Sequence, residues 1–178
     1  MIAVDTNVLV YAHRIEADFH DAARRRVTEL AEGRTPWGIP WPCVHEFVAI
    51  VTRPRLFVPP TPLRHALEQV EAWLESPSVH LLAEGPGYWP IFRGLVDGAH
   101  VTGALVHDAR IAALCLFHGV HELWTADRDF NRFPSLRCRN PLIEDRVRDH
   151  GTAYVPGRAR RSGSIPNTTR RSGKRSTR

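Results

Sequence analysis

Four carboxylates stand out by their neighbours. Asp5 closes the apolar run Met1-Ile2-Ala3-Val4 and opens Thr6-Asn7, and Glu46 follows Pro42-Cys43-Val44-His45. Asp108 follows His107, and Asp127 follows Leu123-Trp124-Thr125-Ala126, with Asp129 two residues on. Crowded together, such acids would repel one another and take up protons unless a positive charge sat among them. Mg2+ or Mn2+ meets that need, because these ions prefer oxygen ligands and keep part of their water shell. A divalent ion lowers the pKa of a bound water and stabilises a leaving phosphodiester oxygen, so an acid-only site suits phosphoryl transfer better than acyl transfer. Each acid also has a plainer use. Asp5 can cap a helix, Glu46 can be a solvated surface group, Asp108 can face a helix dipole, and Asp127 and Asp129 can cap a turn. Only a fold that unites them favours the chemistry.

The surrounding pattern predicts such a fold. Residues 2–4 read as a buried strand, followed by an N-cap cluster and a helix through Val8-Leu9-Val10-Tyr11-Ala12. Helices are expected at 18–32, stopped by Gly33, and from Pro42 to about Thr52. Further helices are expected at 63–75, 88–99 and 107–118, the last stopped by Gly119. Strands are expected at 37–40, 79–82 and 122–125, with a short turn or helix at 127–131 and an edge strand at 137–140. Pro54, Pro59, Pro60 and Pro62 make 53–62 a loop. Alternating strands and helices imply an α/β fold, a central parallel sheet flanked by helices on both faces. Ligands then bind beyond the carboxyl ends of the strands, where Asp5 and Asp127 fall. Val44, Phe47, Val48 and Val51 form a core-facing stripe, and Glu46 projects roughly opposite it.

Composition bounds the reading without choosing a reaction. In 178 residues there are 24 Lys+Arg and 19 Asp+Glu, and 43% of residues are hydrophobic, which excludes fibrous and wholly disordered chains. The charge is divided unevenly. Residues 1–150 hold 16 arginines against 19 acids, a net −3, whereas 151–178 hold seven arginines, Lys174 and no acid, a net +8. We therefore expect a domain at 1–150 and a disordered basic tail at 151–178, able to serve as an electrostatic arm for phosphates or only as a solubilising extension. No run approaches the roughly 20 apolar residues of a membrane helix. With no basic segment before the first apolar run and three scattered cysteines, a cytoplasmic location is expected.

Other site readings fail on their residues. Gly98 and Gly103 have the phosphate-loop separation, but Ala104-Leu105 replaces the Lys and hydroxyl that loop requires, so no nucleotide cofactor is expected. Cys115, His118 and His121 lack a fourth zinc ligand at suitable spacing. Cys43 and His45, two apart on a helix, do not face one another. The five tryptophans could stack bases, although packing explains them better.

Four blocks resemble the PIN-domain ribonucleases, in particular the VapC toxins of type II toxin–antitoxin systems. They are residues 2–12 (IAVDTNVLVYA), 42–52 (PCVHEFVAIVT), 107–114 (HDARIAAL) and 123–130 (LWTADRDF), in order across nearly the whole body. The resemblance implies a single PIN-like domain and a Mg2+- or Mn2+-dependent endoribonuclease. It places Asp5, Glu46, Asp108 and Asp127 on the family's acidic positions, with Asp5 and Asp108 as principal metal ligands. Asp129 is a secondary acid, and Thr6, Asn7 and Thr125 would orient the carboxylates. It further implies an RNA substrate, a homodimer, and a VapB-type antitoxin whose C-terminal segment occupies the acidic groove. Arg53, Arg55, Arg128 and Arg132 are candidate RNA contacts.

Two other functions share these residues. A non-catalytic RNA- or protein-binding module would use the fold and the arginines without cleavage. A phosphoacceptor domain would carry an acyl phosphate on Asp5 or Asp127.

Overall fold

Strand-forming runs and capped helical runs alternate through the chain, and in the computed structural model they close into one layered unit. The structure describes residues 1–143. The expected basic tail and the last residues of the 1–150 domain lie outside the described residues. The order is β1 (Ile2–Val4), α1 (Thr6–His13), α2 (His20–Glu32), β2 (Trp37–Pro40), α3 (Trp41–Val51), α4 (Leu63–Leu74) and β3 (Val79–Leu82). Then come α5 (Tyr88–Gly98), α6 (Leu105–Phe117), β4 (Glu122–Trp124), a 3-10 helix (Asp129–Arg132) and β5 (Cys138–Arg139).

The sheet order is β3-β2-β1-β4-β5, and every pairing is parallel. The chain moves outward from β1 through β2 to β3, then returns to lay β4 on the other side of β1. Right-handed crossovers therefore put α1 to α4 on one face and α5 and α6 on the other. The packing agrees, with α1 against α2 and α3, α3 against α4, and α5 against α6. The reversal of strand order at β1 and β4 opens a crevice at their carboxyl ends.

Local chemistry explains the boundaries. Asp5 caps α1, and Pro42 sits in the first turn of α3, where no backbone N–H is needed. Gly119, at φ +64°, ends α6 in the left-handed region that other residues rarely adopt. Gly33 stops α2 by another route. Its φ is −78°, and a Cβ there would lie 2.6 Å from the Glu29 carbonyl oxygen. The core runs through the sheet from Trp37 and Ile39 to Leu123, with Phe47 edge-on to Trp73 at 4.8 Å. Among the described residues, no helix is long and apolar enough to cross a membrane.

A candidate acidic active site

Register explains how residues 120 positions apart meet. Val4 lies level with Trp124 in the β1–β4 pairing, so Asp5 and Thr125, next along each chain, leave the sheet side by side. The Asp5 backbone N–H donates to the Trp124 carbonyl at 3.0 Å, and Thr125 Oγ1 donates to Asp5 Oδ2 at 2.7 Å. Asn7 Nδ2 donates to the same oxygen at 2.5 Å and to Thr125 Oγ1 at 3.0 Å. The Asn7 Oδ1 accepts from the Ala126 backbone at 3.0 Å, which ties α1 to the segment leaving β4. The other Asp5 oxygen accepts from the Thr6 backbone at 2.7 Å and from Cys43 Sγ at 3.7 Å. Four donors thus fix a carboxylate that is only 4% exposed.

The remaining acids gather around this anchor. Glu46, on the outer side of α3, accepts a 2.6 Å hydrogen bond at Oε2 from Thr6 Oγ1. Asp108 lies half-buried in the first turn of α6. Asp127 is exposed, and its Oδ1 accepts from the Asp129 backbone at 2.8 Å while its own N–H donates to Thr125 Oγ1 at 3.0 Å. The plainer roles of Asp5 as a helix cap and Asp127 as a turn cap are therefore real, and they coexist with membership of the cluster. Asp5, Thr6, Asn7, Glu46, Asp108 and Asp127 line one cavity of about 390 Å³. Among the described residues, no Lys, Arg or His lines it.

This placement has an electrostatic consequence. Burial pushes the Asp5 carboxyl up to about 6, and the charge of Glu46 adds to the effect against the hydrogen bonds of Thr125, Thr6 and Cys43. Asp108 is also pushed up to about 6, first by burial and then by Asp127, Asp5, Asp129 and Glu46 in turn. The cluster is short of positive charge. Its donor atoms are all oxygens, which fits Mg2+ or Mn2+ rather than a softer ion. Among the described residues, no three acidic, His or Cys side chains close into a metal cage by themselves. An ion that retains waters and accepts substrate oxygens needs no such cage.

The other candidates fall outside the cavity. Asp129 pairs loosely with Arg132 at 3.9 Å but still raises Asp108. Arg53, Arg55, Arg128 and Arg132 are exposed and do not line the cavity. None of the tryptophans lines it either, and Trp37, Trp73 and Trp124 are core residues. His118 and His121 are spent on the carbonyls of Ala83 and Met1.

Sequence reasoning missed two features. Cys43 touches Asp5 and sits three residues before Glu46 on the same helix face, a spacing that could have linked them. An apolar lining that includes Tyr11, Ile50, Leu56 and Phe57 shares the cavity with the acids. Its only signal was the pair Leu56-Phe57 inside an otherwise Pro- and Arg-rich loop.

Comparison with known proteins gives a consistent result. Residues 2–136 match the family model described as the PIN domain. Ribonuclease VapC43 of Mycobacterium tuberculosis is 38% identical over 142 residues, covering 80% of this chain and 96% of the relative. Ribonuclease VapC48 of the same species is 34% identical over 138 residues, covering 78% and 95%. Among solved structures, VapBC2 from Rickettsia felis, bound to a promoter DNA fragment, superposes with a TM-score of 0.58 at 18% identity, over 78% of this chain and 98% of that one. Mycobacterium tuberculosis VapC20, titled a sarcin-ricin loop cleaving toxin, gives 0.53 at 17% identity, over 74% and 93%.

Proposed function

The chain belongs to the VapC branch of the PIN-domain family, and on that footing we propose that it is a divalent-metal-dependent endoribonuclease, the toxin of a toxin–antitoxin pair. One observation carries the reading: Asp5 and Asp108, from a strand end and a distant helix, share a cavity that the described residues line with four acids and no base. Asp5 and Asp108 would hold Mg2+ or Mn2+, with Glu46 and Asp127 beside them. When bound, the ion activates a water and neutralises charge on the phosphodiester.

The chain's own residues do the positioning. Thr125 and Asn7 lock the Asp5 carboxylate in one orientation. Thr6 aims Glu46 into the cavity, where it orients a water for in-line attack. Asp127 adds negative potential that holds the cation, and its turn with Asp129 fixes its own orientation. The same proposal assigns RNA as substrate, supported by the ribonuclease relatives, and carries over from the family resemblance a VapB-type antitoxin as partner, a homodimer as the assembly and the cytoplasm as the location. The decisive experiment incubates the full chain with end-labelled RNA and Mg2+, Mn2+ or chelator. Cleavage with either ion that vanishes in Asp108→Asn supports the reading. RNA binding without cleavage would favour the non-catalytic module.

A further inference from the structure

The acidic cavity also has an apolar lining. That lining includes Tyr11 of α1, Ile50 of α3, and Leu56 and Phe57 from the loop after α3, none of them fully buried. Leu56 is 54% exposed, although its neighbours pack against the core.

Phe57 is held firmly for a loop residue. The Arg14 guanidinium carbon lies 4.3 Å from its ring centroid. Phe57 lines the cavity and Arg14 does not. Arg14 is itself buried and anchored, donating to Thr61 Oγ1 at 2.7 Å, the Pro59 carbonyl at 3.0 Å and Glu16 at 2.8 Å. Two of those partners belong to the Phe57 loop, so Arg14 staples the loop and braces the ring together. An aromatic ring fixed before the ligand arrives loses little freedom on binding.

We propose that this lining is a stacking subsite for one unpaired nucleobase of the RNA, with Phe57 as the specificity-determining platform and Arg14 as its positioning residue. The inference rests on the ribonuclease reading and extends it to the substrate class. A flat apolar ligand joined to a phosphate matches a cavity lined both by apolar side chains and by carboxylates that seek a cation. A base in a duplex is stacked on its neighbours and cannot enter, so the site selects single strands and loops. Among these four side chains the Tyr11 hydroxyl is the one hydrogen-bonding group, so they accept a base by its face rather than by its edge.

The test uses the full chain with Mg2+ or Mn2+ and an unstructured, end-labelled RNA of mixed sequence whose cleavage position has been mapped. The same strand is also tested annealed to its complement, and with an abasic residue on either side of the scissile bond. The single strand should be cut at least tenfold faster than the duplex. One abasic substitution should lower kcat/KM roughly 5- to 100-fold, the range that base–aromatic stacking commands. Phe57→Ala should lose a similar factor on intact RNA and be indifferent to the abasic residue, while Phe57→Tyr stays near wild type. Phe57→Leu keeps the apolar volume without the ring face, so it should lose rate yet fold normally. Equal cutting of duplex and single strand, or an abasic penalty unchanged in Phe57→Ala, overturns the proposal. So does a Phe57→Ala protein that cleaves normally but escapes a peptide inhibitor from the antitoxin, since the lining would then serve a protein partner. Failure of the wild type to cut any RNA sinks the ribonuclease reading itself, a result distinct from all of these.

Discussion

Thr6 Oγ1 donates to Glu46 Oε2 at 2.6 Å while the Thr6 backbone donates to Asp5 Oδ1 at 2.7 Å. One threonine therefore couples two carboxylates that lie 41 residues apart. Removing its hydroxyl should release Glu46 without unseating Asp5. We predict that Thr6→Val lowers RNA cleavage about tenfold, that stability changes by about 1 kcal/mol, and that Thr6→Ser restores the rate. Steady-state cleavage paired with urea melts checks both halves.

Asp108 is repelled by Asp127, Asp5, Asp129 and Glu46. Neutralising it should abolish cleavage, by at least a hundredfold. The metal-free Asp108→Asn protein should melt no lower than wild type at pH 7.5, because a repelled carboxylate is gone. Calorimetry in chelator is the check, and a clear loss of stability would contradict the assigned repulsion.

The same acids set a pH dependence. Asp5 and Asp108 titrate near 6 in the folded protein against 3.8 ordinarily. Between about pH 4 and 6 the folded state therefore holds more protons than the unfolded one, and stability falls as pH rises through that window. The contribution of these two groups to the metal-free protein is fully present below about pH 4 and lost above about pH 7. Mg2+ or Mn2+ should reverse the trend by stabilising most where the acids are ionised. Denaturant midpoints at pH 5 and 7.5, with and without chelator, test this. A flat profile in the Asp5→Asn/Asp108→Asn double variant would confirm the source.

Thr125 is 3% exposed and serves Asp5, Asn7 and the Asp127 backbone through one hydroxyl. We expect Thr125→Val to cost about 2–3 kcal/mol, since it strands buried polar partners. It should also weaken metal binding, raising the midpoint of cleavage against metal concentration severalfold. Thr125→Ser should recover most of both.

Residues 151–178 carry eight cations and no acid, whereas 1–150 are net negative. Deleting 151–178 should leave cleavage chemistry intact but weaken RNA binding. At about 0.7 per phosphate neutralised on a single strand, the slope of log affinity against log salt should shrink by at most about 6. Filter binding across a salt series measures it, and an unchanged slope would make the tail a bystander.

Much of the framework was legible from local pattern. The bounds of β2 and β3 coincide with the expected strands, because β-rich runs between turn signals leave little choice. Helix ends drifted where no cap marked them. Residues 107–118 were expected as helix, yet α6 begins at Leu105, behind Ala104, which offers no side-chain cap. The four acids were likewise legible by type and position, since each follows a strand or sits on a helix of the expected pattern.

What no local pattern contains is distance. That Thr125 rather than a neighbour reaches Asp5 depends on Val4 lying level with Trp124, a register set by packing of strands far apart in the chain. Cys43 against Asp5, and Phe57 braced by Arg14 in the cavity of the acids, arise in the same way. Residue order supplied the chemical groups and the elements that carry them. Close packing of those elements selected which groups share a cavity, because side-chain interactions act over a few ångströms of space whatever the separation along the chain.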